Sequence, residues 1–167
     1  KEPAPNQPKP KSVKVLVVDS QEHLFKPHGG NVVSFNFFIK GGVANYPKDK
    51  AGIEKLALQA LIKAGPREPL KTEWKRQRST SNIRFNVETT RDYSVLSVQS
   101  PVKEWDKAWE MIKNLIRRPS LDKRTLNKVR AKLIQKVKNR EFQPSKFLAD
   151  KAMEYAFSEG DYSKNPD

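Results

Sequence analysis

Apolar residues along this chain recur with two different periods, one typical of helices and one typical of strands. The clearest helical stretch follows a glycine pair near the middle of the first half of the chain. Residues 41–65 (GGVANYPKDKAGIEKLALQALIKAG) contain a glycine pair, a short polar loop and a segment in which apolar residues recur every three or four positions. That spacing is typical of an amphipathic helix, and the Gly-Pro pair that follows is a common helix end. The predicted buried face consists of Ile53, Leu56, Ala57, Ala60, Leu61 and Ala64. The helix has no His or Cys, and Glu54 is its one acid.

Several other segments have the period of two that is typical of strands. Residues 12–19 (SVKVLVVD) form a β-branched run, and residues 31–40 (NVVSFNFFIK) alternate, so we predict that these two strands pair antiparallel. Residues 82–88 and 92–100 predict a second hairpin. Residues 20–30 contain His23, Pro27, His28 and a Gly-Gly pair, and they predict a loop or a hairpin. A metal site formed by the two histidines is an alternative. We prefer a surface loop there, because no carboxylate lies at a useful spacing.

The rest of the chain has helical periodicity. Residues 70–81 predict a charged helix anchored by Trp74, and three more helices follow Pro101, with the last beginning near Pro144 and ending at Gly160. The inward residues predicted for these three are Trp105, Ala108, Trp109, Ile112, Leu115 and Ile116; then Leu126, Val129, Leu133 and Val137; then Phe147, Leu148, Ala152, Tyr155 and Ala156. Antiparallel strands with helices collected on one side predict an α+β fold.

Length and composition limit the number and kind of domains that the chain can form. The 167 residues are enough for one domain, or for one structural half of a larger one. Residues 1–11 are rich in Pro and Lys and predict a leader or linker, whereas residues 12–167 predict one α+β domain. Because the chain stops within a loop, we expect a further half-domain after Asp167. Disulfides and Cys-based zinc sites are excluded by the absence of cysteine, and no apolar run reaches the roughly 20 residues that a membrane span requires.

The net charge of +14 raises the question of an anionic partner. The basic residues are spread along the chain, and no RNP-type strand, GxxG clamp or Cys/His finger accompanies them. We therefore interpret the charge as a solvated basic surface, with a specific anionic partner as the alternative. A nucleic-acid-binding α+β domain remains a third hypothesis for the function, and steep salt dependence of binding would reveal it.

The order and spacing of five segments resemble a half-domain of the insulinase/pitrilysin family of zinc peptidases, the processing-peptidase-like inverzincins. The segments are VSFNFFIKGG, AGIEKLALQALIKAG, the paired strands that end at Pro101, LIRRPSLD, and VRAKLIQKVKNREFQP with the downstream PSKFLADKAMEYAF. Each segment by itself is a weak match to the family. Together, in this order, the segments cover almost the whole chain after the leader. The resemblance implies the α+β half-domain of a metallopeptidase.

The same resemblance implies that the zinc site is lost. Active members carry H-x-x-E-H on the central helix, with two His ligands and a Glu general base, and a Glu ligand on a later helix. Aligned on the preceding Gly52, this chain has Lys55 at the first His, Leu58 at the Glu and Gln59 at the second His. The third ligand position falls on Gln135 or Lys136. We therefore expect no catalytic, cofactor-binding or metal-binding residue in this chain.

Inactive half-domains are ordinary components of this family, which implies a function. The chain would be a non-catalytic half or subunit that encloses an extended or unfolded peptide together with an H-x-x-E-H-bearing partner, in cis or in trans. Zinc is expected in that partner. The alternative is a structural or assembly protein on the same fold. Family, absent cysteine and the leader together favour a bacterial periplasmic or envelope location, with the mitochondrion as the alternative.

Overall fold

A computed structural model describes residues 13–18, 21–27, 29–50 and 52–157. These residues belong to two compact units that divide between Asn31 and Val32. In the first unit, strand β1 (Lys14–Val18) pairs antiparallel with strand β2 (Gln21–Phe25), so that Val15 lies opposite Leu24. The prediction that residues 12–19 pair with residues 31–40 is therefore wrong.

The local pairing has a simple physical reason. Two residues separate β1 from β2, and closing so short a connection costs less chain entropy than reaching a distant strand. Of the loop and the hairpin predicted for residues 20–30, the structure has the hairpin: Gln21–Phe25 is its second strand, and His23 lies exposed on it. His28, the leader at residues 1–11 and the predicted helix end at Gly160 lie outside the described residues.

The second unit contains a three-stranded antiparallel sheet. It consists of β3 (Val32–Lys40), β4 (Arg84–Thr89) and β5 (Tyr93–Pro101), in the order β3-β5-β4. The hairpin predicted from residues 82–100 is confirmed as the β4–β5 pair. The central strand β5 places Val98 opposite both Phe35 and Phe85, which puts the three side chains on one face.

Within the part of the chain that the structure describes, five helices accompany this sheet. They are α1 (Ile53–Ala64), α2 (Leu70–Thr80), α3 (Trp105–Arg117), α4 (Lys123–Glu141) and α5 (Pro144–Ala156), with short 3₁₀ turns at Val43–Asn45, Lys48–Lys50 and Val102–Glu104. None of these helices combines the length and apolar character needed to cross a membrane.

The core lies between α1, α2 and α3 and the face of the sheet that carries Val98. Its buried members are Trp74, Ile83, Val98, Ala108, Met111, Ile112 and Leu115. Phe35 packs edge-on against Trp109, and Trp74 packs against Phe85 at a ring distance of 5.0 Å. Trp74 is thus the anchor of α2, as its pattern predicted. Helices against an antiparallel sheet confirm the α+β class.

Several residues that were predicted to lie on the buried faces of the helices are exposed. They are Ile53 and Ala57 in α1, Trp109 and Ile116 in α3, Val137 in α4, and all five predicted inward residues of α5. In α5, Leu148 is 70% exposed and Tyr155 is 88% exposed. This helix packs mainly against α4, and contact with one neighbouring helix covers a narrow strip of its surface.

Candidate functional site

An open groove of about 870 Å³ lies where α1, α4 and the β4–β5 hairpin meet. Residues 86–93 of the hairpin form one side of it. Lys55 and Gln59 enter from α1, Lys136 from α4 and Met153 from α5. The groove therefore combines residues from three separate parts of the chain: α1, the β4–β5 hairpin, and the consecutive helices α4 and α5.

This groove brings together three of the positions to which the resemblance assigns a zinc site. Lys55 and Gln59 are four residues apart on α1 and so lie on the same side of that helix, while Lys136 approaches from α4. Leu58 is half-buried and does not line the groove. Of the two residues proposed for the third ligand position, Lys136 is the one in the groove. The side-chain amide of Gln135 instead donates to Oδ1 of Asn139, 2.8 Å away on the exposed side of α4.

The chemistry of these side chains does not fit a zinc ion. Zinc in proteins takes imidazole nitrogen, thiolate sulfur or carboxylate oxygen, and two lysines and a carboxamide do not supply that set. A protonated ammonium has no lone pair, and its charge repels a cation. Throughout the described ranges, no group of three or more His, Cys, Asp or Glu residues is placed to hold a metal ion.

Lys55 is the unusual charge in this groove. Its side chain lines the groove, yet the residue is only 6% exposed, and lysine is rarely buried to that degree unless it is paired. Lys55 and Lys136 both contact other groups of the chain. Arg91 adds a third cation, and the carboxylates of Glu88 and Asp92 also line the groove.

Strand β4 contributes a backbone edge beside these charges. It pairs with β5 on one side, and within the described residues no strand pairs with its other side. Residues 86–89, which line the groove, belong to this strand. An unpaired strand edge presents N–H and C=O groups that a further extended chain can bind.

A network of hydrogen bonds fixes the turn of the hairpin relative to the start of α1. The backbone N–H groups of Val43 and Ala44 donate to the carbonyl oxygens of Thr90 (3.1 Å) and Arg91 (2.9 Å). The N–H of Gly42 donates to Oε2 of Glu54, 2.9 Å away. Glu54 directly precedes Lys55, so this network positions the groove-lining turn beside the groove-lining helix.

The negative charge of Glu54 also acts on a neighbouring phenol. It raises the pKa of Tyr46 above its ordinary value, mainly because a phenolate would be repelled by the carboxylate. Burial and a hydrogen bond to Glu54 act in the same direction. From the sequence, Glu54 stood out only as the one acid of the helix, since its partner lies 12 residues earlier, across a loop.

The fold resembles that of several solved peptidases. A protease from Helicobacter pylori superposes with a TM-score of 0.78 at 16% sequence identity, and the match covers 93% of this chain and 38% of that one. A peptidase M16 inactive domain from Pseudomonas fluorescens gives a TM-score of 0.73 at 13% identity, with 93% and 38% covered. The periplasmic protease PqqL from Escherichia coli gives 0.69 at 15% identity, with 91% and 17% covered.

Sequence comparison identifies the family. The chain spans well under half the length of these solved structures. A search among curated proteins finds no significant match. The profile of the insulinase family (peptidase family M16) matches residues 25–165, which is most of the chain. This protein chain therefore belongs to the insulinase family, peptidase family M16.

Proposed function

We propose that this chain is a non-catalytic half or subunit of an insulinase-family zinc peptidase and encloses extended peptide together with a half that carries H-x-x-E-H. The observation that carries the proposal is the meeting of Lys55, Gln59 and Lys136 in one groove beside the outer edge of β4, with which no described strand pairs. A groove of this form retains a place for an extended chain, whereas the side chains of Lys55, Gln59 and Lys136 lack the donors for zinc. Zinc and the catalytic residues belong to the partner.

The groove suggests how a peptide is held. An extended segment that pairs with the open edge of β4 gains main-chain hydrogen bonds independent of its sequence. Its alternate side chains then point toward α1 and α4, because successive side chains of a strand face opposite sides. This binding mode suits a chamber wall that accepts varied peptides and leaves their cleavage to the partner.

Two of the similar structures support this proposal. One of them is described as an inactive domain of an M16 peptidase, and another as a periplasmic protease. On that basis we propose a periplasmic or cell-envelope location, with the mitochondrion as the alternative.

The test is a reconstitution with the full-length native protein. Zinc content and cleavage of an unfolded polypeptide are measured for the protein alone and after addition of an H-x-x-E-H-bearing family member from the same organism. We expect zinc to accompany the partner, and we expect cleavage to require both. Stoichiometric zinc bound through the half that contains Lys55 and Gln59 would contradict the proposal. Cleavage by the partner that is unchanged by this protein would instead favour a structural or assembly role.

A further inference from the structure

The groove carries a surplus of positive charge around a buried ammonium. Three cationic side chains (Lys55, Arg91 and Lys136) and two anionic ones (Glu88 and Asp92) line it, which leaves a net charge of +1. The two acids are exposed, while Lys55 is nearly enclosed at 6% exposure. Lys55 is therefore the one buried charged residue among those that line the groove, whereas Arg91 is half-buried and Lys136 is exposed.

From this arrangement we infer that the groove selects peptide segments bearing a carboxylate, which binds against Lys55 and Lys136. The inference rests on the proposed function, since it names the class of peptide that the same groove takes. A carboxylate is the ligand that a buried ammonium favours most among peptide groups, because hydrogen bonds between ions are shorter and stronger than those between neutral groups. The side-chain amide of Gln59 supplies a further N–H donor on the same helix face.

Neighbouring groups in the groove favour the binding of one carboxylate and oppose the binding of a second. Lys55 and Lys136 already interact with other groups of the chain, and an arriving carboxylate adds a charge-assisted contact to these existing ones. The neighbouring Glu88 and Asp92 repel a second negative charge. We therefore expect one carboxylate to strengthen binding and a second, adjacent one to add little.

A peptide carboxylate has two sources, an acidic side chain and the chain terminus. The experiment uses an array of ten-residue peptides of varied sequence, each made with Glu or Gln at a central position and with a free or an amidated C-terminus. Binding of the full-length native protein is measured, and the strongest sets are titrated by fluorescence anisotropy. We expect at least one carboxylate form to bind about tenfold more tightly than the doubly neutral form, which is the effect of one charge-assisted hydrogen bond.

Matched variants assign the effect to the groove. Lys55→Met and Lys136→Met keep a flexible side chain and remove the ammonium, and each is expected to abolish most of the difference between Glu and Gln peptides. Lys132→Met is the control, because Lys132 lies one turn before Lys136 on the same helix and is exposed outside the groove. It should leave the Glu/Gln difference unchanged. Lys136 is itself an exposed helix position, so its replacement tests the inference even where Lys55→Met impairs folding.

The outcomes separate this inference from the function on which it rests. Equal binding of all four forms of each peptide would overturn the carboxylate preference and leave the peptide-binding function standing. Binding to none of the array would overturn the proposed function, and the preference with it. A Glu/Gln difference that persists in both groove variants would also overturn the inference, because the discriminating charge would then lie elsewhere. Preference for the Glu side chain or for the free terminus identifies the source of the carboxylate.

Discussion

Oε2 of Glu54 accepts a 2.9 Å hydrogen bond from the backbone N–H of Gly42. This bond joins the first turn of α1 to the loop that follows β3, and the next residues of that loop bind the Thr90–Arg91 carbonyls of the hairpin turn. The carboxylate therefore links the α1 side of the groove to the loop that binds the hairpin turn. Its contribution can be measured independently of any ligand.

Replacing Glu54 with Ala is expected to lower the free energy of unfolding by about 1 to 3 kcal/mol, the usual cost of leaving a buried donor without its acceptor. Gly42 is buried, so water does not readily replace the carboxylate. Urea denaturation provides the measurement. Glu110→Ala is the matched control, because Glu110 is an exposed helical acid whose described ion pair is with Lys113, and its loss should cost less than about 0.5 kcal/mol. Equal effects of the two substitutions would contradict the anchoring role of Glu54.

Tyr46 reports on the same carboxylate through its ionisation. Because the pKa of Tyr46 is raised in the folded protein, the folded state holds its phenolic proton more firmly than the unfolded state does. The resulting stability is present below the ordinary tyrosine pKa of about 10 and is lost as the pH rises through the higher folded value.

An ultraviolet titration of wild-type protein and of Tyr46→Phe isolates the Tyr46 phenol. In Glu54→Ala its pKa should move back toward the ordinary value, because the repelling carboxylate is gone. The Glu110→Ala variant should titrate like the wild type. An unchanged Tyr46 pKa in Glu54→Ala would show that the carboxylate does not raise it.

Gly42 and Gly52 allow a close backbone contact to be tested, and they differ in ψ, which is 167° at Gly42 and −5° at Gly52. Both have φ of +88°, which L-residues rarely adopt. A Cβ on Gly42 would lie 2.3 Å from the carbonyl oxygen of Arg91, whereas a Cβ on Gly52 would meet nothing within 4 Å. Gly42→Ala should therefore cost about 3 kcal/mol or more, and Gly52→Ala about 1 kcal/mol of conformational strain alone. Thermal or urea denaturation of both variants checks the difference, and similar losses would contradict the contact.

Asp122 supports the start of α4, the helix that carries Lys136 into the groove. Its Oδ1 accepts a hydrogen bond of 2.8 Å from the backbone N–H of Thr125, the arrangement of a helix N-cap. The pKa of Asp122 is lowered, first by this bond, then by the hydroxyl of Thr125 and by Lys71, against an opposing effect of burial. A lowered pKa means that the stabilisation is present above the ordinary aspartate value of about 3.9 and is lost as the pH falls through the folded value.

The prediction for Asp122 is a difference in pH dependence. Asp122→Asn keeps a capping oxygen and removes the titrating charge, so its stability should change less between pH 6 and pH 2 than that of the wild type. Urea midpoints at several pH values provide the measurement. Asp106→Asn is the control, because Asp106 is an exposed acid in the first turn of α3, and its profile should follow the wild type. Parallel profiles for wild type and Asp122→Asn would contradict the cap.

Local pattern was sufficient for most elements of this chain. The alternation of residues 82–100 identified β4 and β5, and the helical stripe with its Gly-Pro end identified α1 almost to the residue. Period and propensity are properties of neighbouring residues, so a single sequence contains them. The prediction that Lys55, Leu58 and Gln59 occupy the zinc-site positions of the family also needed no structure. The absence of cysteine is likewise evident from the sequence.

Long-range packing decided the rest. Three features depend on elements that approach from distant parts of the chain. Lys136 lines the groove and Gln135 does not, Lys55 is buried, and Gly42 donates a hydrogen bond to Glu54. The exposed α5 side chains show the same limit, because an apolar stripe indicates a face that can be buried without naming the surface that covers it. The sequence by itself determined most of the elements, and it supports the prediction that the zinc ligands of the family are absent. The tertiary structure decided which side chains share the groove, because that depends on how helices and strands pack after they have formed.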